Sequence, residues 1–96
     1  MSSKLNTMSS SNTSVKIVDV RTPAEFMAGH VPGSVNIPLQ EIPARMEEFR
    51  NMSGTVYLCC ASGNRSGQAE MYLKAHGITN VQNAGGWQDA MSLAHA

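Results

Sequence analysis

Apolar and β-branched residues form short runs along the chain, separated by turns that contain glycine or proline. Four of these runs predict β-strands, at 15–20, 34–37, 55–59 and 78–82. Apolar residues at helical spacing predict four helices, at 23–27, 40–50, 66–76 and 87–93. Because strands and helices alternate, the chain is predicted to be an α/β protein, with a small parallel sheet of about four strands and helices on both faces.

The first fourteen residues have a different composition, since ten of them are Ser, Thr or Asn. Such a segment buries too little apolar surface to offset the entropy lost on ordering, which predicts a disordered tail over 1–14. A chain of 96 residues has room for one domain. We therefore expect a single domain over 15–96, with Gly85 and Gly86 ending the last strand.

The charges balance, with 7 Lys+Arg against 7 Asp+Glu, which disfavours nucleic acid or an anionic membrane as a partner. No apolar run is long enough to span a membrane, and the first residues lack the apolar region of a secretory signal. We expect a cytoplasmic protein, or a periplasmic one if an export signal has been removed. The two cysteines, Cys59 and Cys60, are adjacent, so they provide neither a disulfide framework nor a structural zinc site.

A candidate site follows the third predicted strand, where ligands bind in parallel sheets. It comprises a cysteine, a short polar loop and the start of a helix: Cys60, Ala61, Ser62, Gly63, Asn64, Arg65 and Ser66. The loop is able to turn its N–H groups toward one point, and the helix start adds unpaired N–H groups there. Such surroundings favour a thiolate, and Arg65 is suited to binding an oxyanion. Strand alternation places Cys59 on the opposite face, as a core residue.

Four stretches of the chain resemble the rhodanese-like sulfurtransferases. The matching stretches are Val18-Asp19-Val20-Arg21-Thr22-Pro23-Ala24-Glu25-Phe26, Gly29-His30-Val31-Pro32-Gly33-Ser34-Val35-Asn36-Ile37-Pro38, Cys60 to Ser66 and Gly85-Gly86-Trp87. Within that family, the chain looks most like the small single-domain thiosulfate sulfurtransferases of the phage-shock type. Many single-domain members carry a second cation inside the loop. Ala61 and Ser62 stand there in this chain, which predicts a modest affinity for thiosulfate.

The resemblance implies sulfur transfer in two steps. The Cys60 thiolate takes the outer sulfur of a donor such as thiosulfate, and a thiol or cyanide then removes it from the Cys60 persulfide. The backbone N–H groups from Ala61 to Arg65 hold the persulfide, and Arg65 orients the donor. This chemistry needs no metal or organic cofactor, and we expect a monomer.

Other interpretations use the same residues. A Cdc25-type phosphatase, with which we group an arsenate reductase as an alternative, has five residues between its cysteine and arginine. Cys59 and Arg65 would satisfy that spacing, whereas Cys60 leaves four. A persulfide carrier or interaction module for a partner protein is a further alternative. Outside the loop, Asp19 is expected to hydrogen-bond the loop backbone, and Arg21 to pair with Glu25 four residues later.

Overall fold

The structure is a computed structural model and describes residues 15–94. The predicted disordered tail over 1–14 lies outside the described residues. The elements in chain order are β1 (Lys16–Asp19), α1 (Pro23–Ala28), β2 (Val35–Asn36), a 3₁₀ helix (Leu39–Ala44), α2 (Met46–Arg50), β3 (Val56–Cys60), α3 (Asn64–Ala75), β4 (Val81–Gly86) and α4 (Trp87–Ala94). Among these elements no helix is long and apolar enough to cross a membrane.

The four strands form one parallel sheet in the order β2-β1-β3-β4. β3 is therefore central, with Leu58 paired to Val18 on one side and to Asn83 on the other. Parallel strands joined by helices need cover on both faces of the sheet. The predicted α/β class and its parallel four-stranded sheet are confirmed.

Side chains of β3 alternate between two apolar clusters on opposite faces of the sheet. Leu58 and Cys60 belong to the larger cluster, which Leu73 of α3 also joins. Cys59 belongs to the smaller cluster, with Ala90 of α4. The period of two along a strand thus sends the adjacent cysteines to different faces, as expected.

The segment predicted as one helix over 40–50 is divided in the structure. A 3₁₀ helix containing Pro43 ends at Ala44, and α2 begins at Met46 after the non-helical backbone of Arg45. Proline has no N–H to donate, and its ring collides with the carbonyl four residues earlier. A continuous α-helix through Pro43 is therefore disfavoured.

The last strand also departs from the prediction, because Gly85 and Gly86 continue β4 instead of ending it. The pairing of β3 with β4 shifts by one residue, from Leu58 opposite Asn83 to Cys59 opposite Gly85. This bulge lets β4 follow the neighbouring strand to its end. The glycines allow the loop after β3 to approach the backbone of β4 closely, which a strand pattern alone does not reveal.

A buried ion pair fixes the carboxyl end of β1. Asp19 has no exposed surface, and its carboxylate accepts hydrogen bonds from Arg21 Nε at 2.9 Å and Nη2 at 2.7 Å. Arg21 also donates to the carbonyl of Gly29 and lies over the Trp87 ring, 4.9 Å from its centroid. The expected pairing of Arg21 with Glu25 is therefore wrong. Asp19 binds the backbone N–H of Arg21 and not the loop after β3.

This pair predicts a large loss of stability when one partner is removed. Asp19→Ala leaves the Arg21 guanidinium buried without its carboxylate and is expected to lower the free energy of unfolding by about 3–5 kcal/mol, measured by urea denaturation. Glu47→Ala removes an exposed partner of Arg50 and is the control, with little change expected. Equal effects of the two variants would contradict a structural role for the buried pair.

Candidate active site

Cys60 is the last residue of β3, and its side chain lies at the carboxyl edge of the sheet. The chain then turns through Ala61 and Ser62 to Gly63, which immediately precedes α3. Gly63 has a φ of 99°, in the left-handed region that glycine adopts without strain. This turn directs the loop back over the sulfur.

Hydrogen-bond donors of the loop and of α3 surround the Cys60 sulfur. The N–H of Gly63 lies 3.0 Å from Sγ, while the N–H and the hydroxyl of Ser66 each lie 3.4 Å away. Burial alone raises the pKa of the thiol, but the donors of Ser66, Ser62 and Gly63 outweigh that effect and lower the pKa to about 7. The sulfur is therefore partly ionised at neutral pH, and the thiolate is the nucleophilic form.

Backbone packing between the loop and β4 holds this arrangement in place. A Cβ on Gly63 would lie 3.2 Å from Gly85 Cα, and one on Gly86 would lie 3.0 Å from the carbonyl oxygen of Ala61. Larger residues would push the loop away from the strand. The glycines of β4 thus allow the loop to lie directly on the sheet edge.

Asn83 links β4 to both the loop and α3. Its Nδ2 donates to the carbonyl of Gly63 at 3.1 Å, and its Oδ1 accepts from the Ser66 hydroxyl at 2.7 Å and from the N–H of Gly85 at 2.9 Å. A hydroxyl has one proton, so Ser66 is able to donate to Asn83 or to Cys60, but not to both at once. Asn83 is therefore positioned to influence how strongly Ser66 stabilises the thiolate.

The second cysteine has opposite properties. Cys59 is fully buried in the cluster on the other face, and burial followed by the nearby Asp19 carboxylate raises the pKa of its thiol to about 12. It remains protonated and inaccessible at neutral pH. A loop counted from Cys59, which the phosphatase and arsenate reductase alternatives require, would have no ionised nucleophile at its start.

Arg65 forms an ion pair with Glu25, and its guanidinium lies close enough to Cys60 for the thiolate charge to stabilise the cation. Its Nη1 and Nη2 donate to the two carboxylate oxygens of Glu25 in α1, at 2.8 and 3.0 Å. The hydrogen bonds from Arg65, together with those from Thr22, lower the pKa of the Glu25 carboxyl to about 2. Two parallel charge-assisted bonds make this a geometrically defined pair.

The remaining loop residues contribute mainly through their backbone. Ser62 acts on the sulfur through its N–H, and Ala61 contacts β4 through its carbonyl. Asn64 begins α3, and its side chain accepts a hydrogen bond from Gln68 on the exposed side of the helix. The predicted site residues are thus adjacent in space, although their side chains do not all point toward the sulfur.

Two residues in contact with the site were not predicted to belong to it. Asn83 lies 17 positions beyond Ser66, and Glu25 lies 40 positions before Arg65. The Thr22 to Glu25 spacing does signal a capping box, which the structure contains at the start of α1. Nothing in that local signal indicates a partner in the loop.

The fold and the site together define an α/β protein that holds a cysteine of lowered pKa in a loop of N–H donors. Residues 2–92 match the family model described as rhodanese-like domain. The chain belongs to this rhodanese-like sulfurtransferase family, which confirms the resemblance and the prediction of an enzyme of this class.

Several relatives are similar over most of the chain. The thiosulfate sulfurtransferase PspE of Escherichia coli is 41% identical over 73 residues, covering 75% of this chain and 70% of the relative. The thiosulfate:glutathione sulfurtransferase of Saccharomyces cerevisiae is 33% identical, covering 70% of this chain and 57% of the relative. A solved rhodanese with anions from E. coli superposes with a TM-score of 0.70 at 39% identity, covering 79% of this chain and 91% of that one.

The donors around Cys60 predict how its reactivity depends on pH. Alkylation of the wild type by iodoacetamide is expected to follow thiolate formation, with a midpoint near pH 7. Ser66→Ala removes one donor and should raise the midpoint by about one pH unit. The rate is measured from pH 5 to 10, with Ser92→Ala as the control because that hydroxyl donates to Asp89. An unchanged midpoint in Ser66→Ala would show that the hydroxyl does not stabilise the thiolate.

Proposed function

We propose that the protein moves a sulfane sulfur from a donor such as thiosulfate to a thiophilic acceptor through a persulfide on Cys60. The observation that carries the proposal is the Cys60 sulfur, which receives an N–H at 3.0 Å and has a pKa of about 7. A thiolate surrounded by hydrogen-bond donors is suited both to attack and to carrying a charged sulfur afterwards. The names of the E. coli and yeast relatives support thiosulfate as the donor.

In the first step the Cys60 thiolate attacks the outer sulfur of thiosulfate. A sulfur–sulfur bond forms to Cys60, and the bond between the two sulfurs of the donor breaks. Sulfite leaves with the electron pair, and the terminal sulfur of the Cys60 persulfide retains one negative charge. The N–H groups of Ser62, Gly63 and Ser66 that lower the pKa of the thiol would stabilise this persulfide anion for the same electrostatic reason.

In the second step a nucleophile removes the terminal sulfur and releases the Cys60 thiolate. Cyanide would leave as thiocyanate, and a thiolate would leave as its own persulfide. The yeast relative's name mentions glutathione, which supports a thiol as acceptor. Each step exchanges sulfur between nucleophiles without a change in electron count, so the proposal needs no metal or organic cofactor. The monomeric state and the cytoplasmic location expected from the sequence stay predictions.

The persulfide is directly testable by mass spectrometry of the intact protein. After incubation with thiosulfate and removal of small molecules, the wild type is expected to gain the mass of one sulfur atom. Cys60→Ser should show no gain, because the attacking thiolate is absent. Cys59→Ser is the matched control and should gain the sulfur normally, since Cys59 is buried on the other face.

The two cysteine variants also distinguish the alternatives. Loss of the adduct in Cys59→Ser, with retention in Cys60→Ser, would contradict the assignment of Cys60 as nucleophile. If the wild type releases phosphate from an aryl phosphate substrate and forms no sulfur adduct, the Cdc25-type phosphatase interpretation would be favoured. Subsequent addition of glutathione or cyanide should return the wild type to its original mass.

Arg65 is expected to act on the donor and not on the bound sulfur. Arg65→Ala removes a cation beside the site and should raise the KM for thiosulfate about tenfold. The lifetime of a persulfide already formed should change little, because the backbone N–H groups now bonded to the Cys60 sulfur would hold it, and these remain in the variant. Arg45→Ala, which removes an exposed arginine paired with Glu41 and Glu48, is the control. Equal losses in donor use and persulfide lifetime would contradict this division of roles.

A further inference from the structure

The arginine expected to meet the donor is already engaged by a carboxylate. Both terminal nitrogens of Arg65 bind Glu25, at 2.8 and 3.0 Å, and the two side chains are 33% and 38% exposed. Arg65 also lies close enough to Cys60 for the thiolate charge to stabilise its cation. A sulfur-donor molecule that approaches Cys60 therefore meets an Arg65 cation whose charge is largely balanced by Glu25.

The rest of the loop adds no side-chain cation to offset this. Ala61 and Ser62 are uncharged, and the donors to Sγ are N–H groups and one hydroxyl. Glu25 stays ionised at all physiological pH values, because its hydrogen bonds to Arg65 lower its pKa to about 2. The surroundings of Cys60 thus combine N–H dipoles with one nearby cation, Arg65, which is itself bonded to the negative charge of Glu25.

We propose that Glu25 is a specificity-determining residue, whose carboxylate disfavours sulfur donors with two negative charges relative to donors with one. The inference rests on the proposed sulfur transfer and adds a charge preference to it. The repulsion between Glu25 and the sulfur-donor molecule scales with the charge of that molecule. The hydrogen bonds that the loop gives to the same molecule depend on its geometry instead. Thiosulfate, a dianion, therefore loses more binding free energy to Glu25 than a monoanionic thiosulfonate does.

Glu25→Gln separates the charge of the side chain from its structural role. The residue is part of the capping box of α1, in which Glu25 Oε1 accepts from the Thr22 N–H at 3.1 Å. Glutamine completes a capping box as glutamate does, and its amide oxygen is still able to accept from Arg65. The variant thus removes the negative charge while leaving Arg65 a neutral partner.

The experiment compares thiosulfate with methanethiosulfonate, which presents the same outer sulfur on a sulfonyl group but carries one negative charge. Cys60 takes that sulfur in the same way, and methanesulfinate leaves with the electron pair. Glu25→Gln is expected to lower the KM about tenfold for thiosulfate and about threefold for methanethiosulfonate, with kcat nearly unchanged. The difference should shrink as salt is added, because exposed charges are screened.

Glu48→Gln is the matched control, since Glu48 also makes two bonds to an arginine, at 2.7 and 3.0 Å from Arg45. It removes the same charge from the surface and should leave both KM values unchanged. Glu25→Ala is a second variant that removes the same charge without placing a glutamine there. Its KM for thiosulfate should also fall.

A rise of both KM values in Glu25→Gln would overturn the inference and assign Glu25 to holding Arg65 in place. Equal changes for the two donors, or no change, would also overturn it. These results are distinct from failure of the proposed function, which would appear as absence of the sulfur adduct on the wild type with either donor.

Discussion

The loop after β3 is able to surround Cys60 only because it lies directly on the backbone of β4. A Cβ on Gly63 or Gly86 would lie only 3.2 or 3.0 Å from backbone atoms across this contact, and Asn83 joins the two segments through its amide. The bulge between β3 and β4 brings the glycines to this position. The arrangement of N–H donors around the sulfur depends on this close approach, since a loop held farther away would not direct its N–H groups at Cys60.

The electrostatics of the site rest on oriented dipoles more than on full charges. Both arginines near the carboxyl edge are paired, Arg21 with the buried Asp19 and Arg65 with the exposed Glu25. What remains to stabilise a negative sulfur is a set of N–H groups at 3.0–3.4 Å and the Ser66 hydroxyl. In the proposed sulfur transfer, the fixed N–H donors would need little rearrangement when the negative charge moves from the thiolate to the persulfide.

The adjacent cysteines show how strongly position governs chemistry. Cys60 has a pKa of about 7 and Cys59 a pKa of about 12, although one peptide bond separates them. Strand alternation sends one side chain to the loop and the other to the apolar cluster below α4. At Cys60 the hydrogen-bond donors outweigh burial and lower the pKa of the thiol. At Cys59 burial and the charge of Asp19 both raise it.

The sequence by itself determined the α/β alternation, the opposite orientations of Cys59 and Cys60 and the position of the loop, because periodicity and turn residues act over a few neighbouring positions. Only the tertiary structure decided that Gly85 and Gly86 extend β4, that Arg21 binds Asp19 and that Glu25 reaches Arg65. The last contact joins residues 40 positions apart. The local pattern around Arg65 predicts an oxyanion-binding cation, but the carboxylate it meets depends on how α1 and α3 are placed relative to each other.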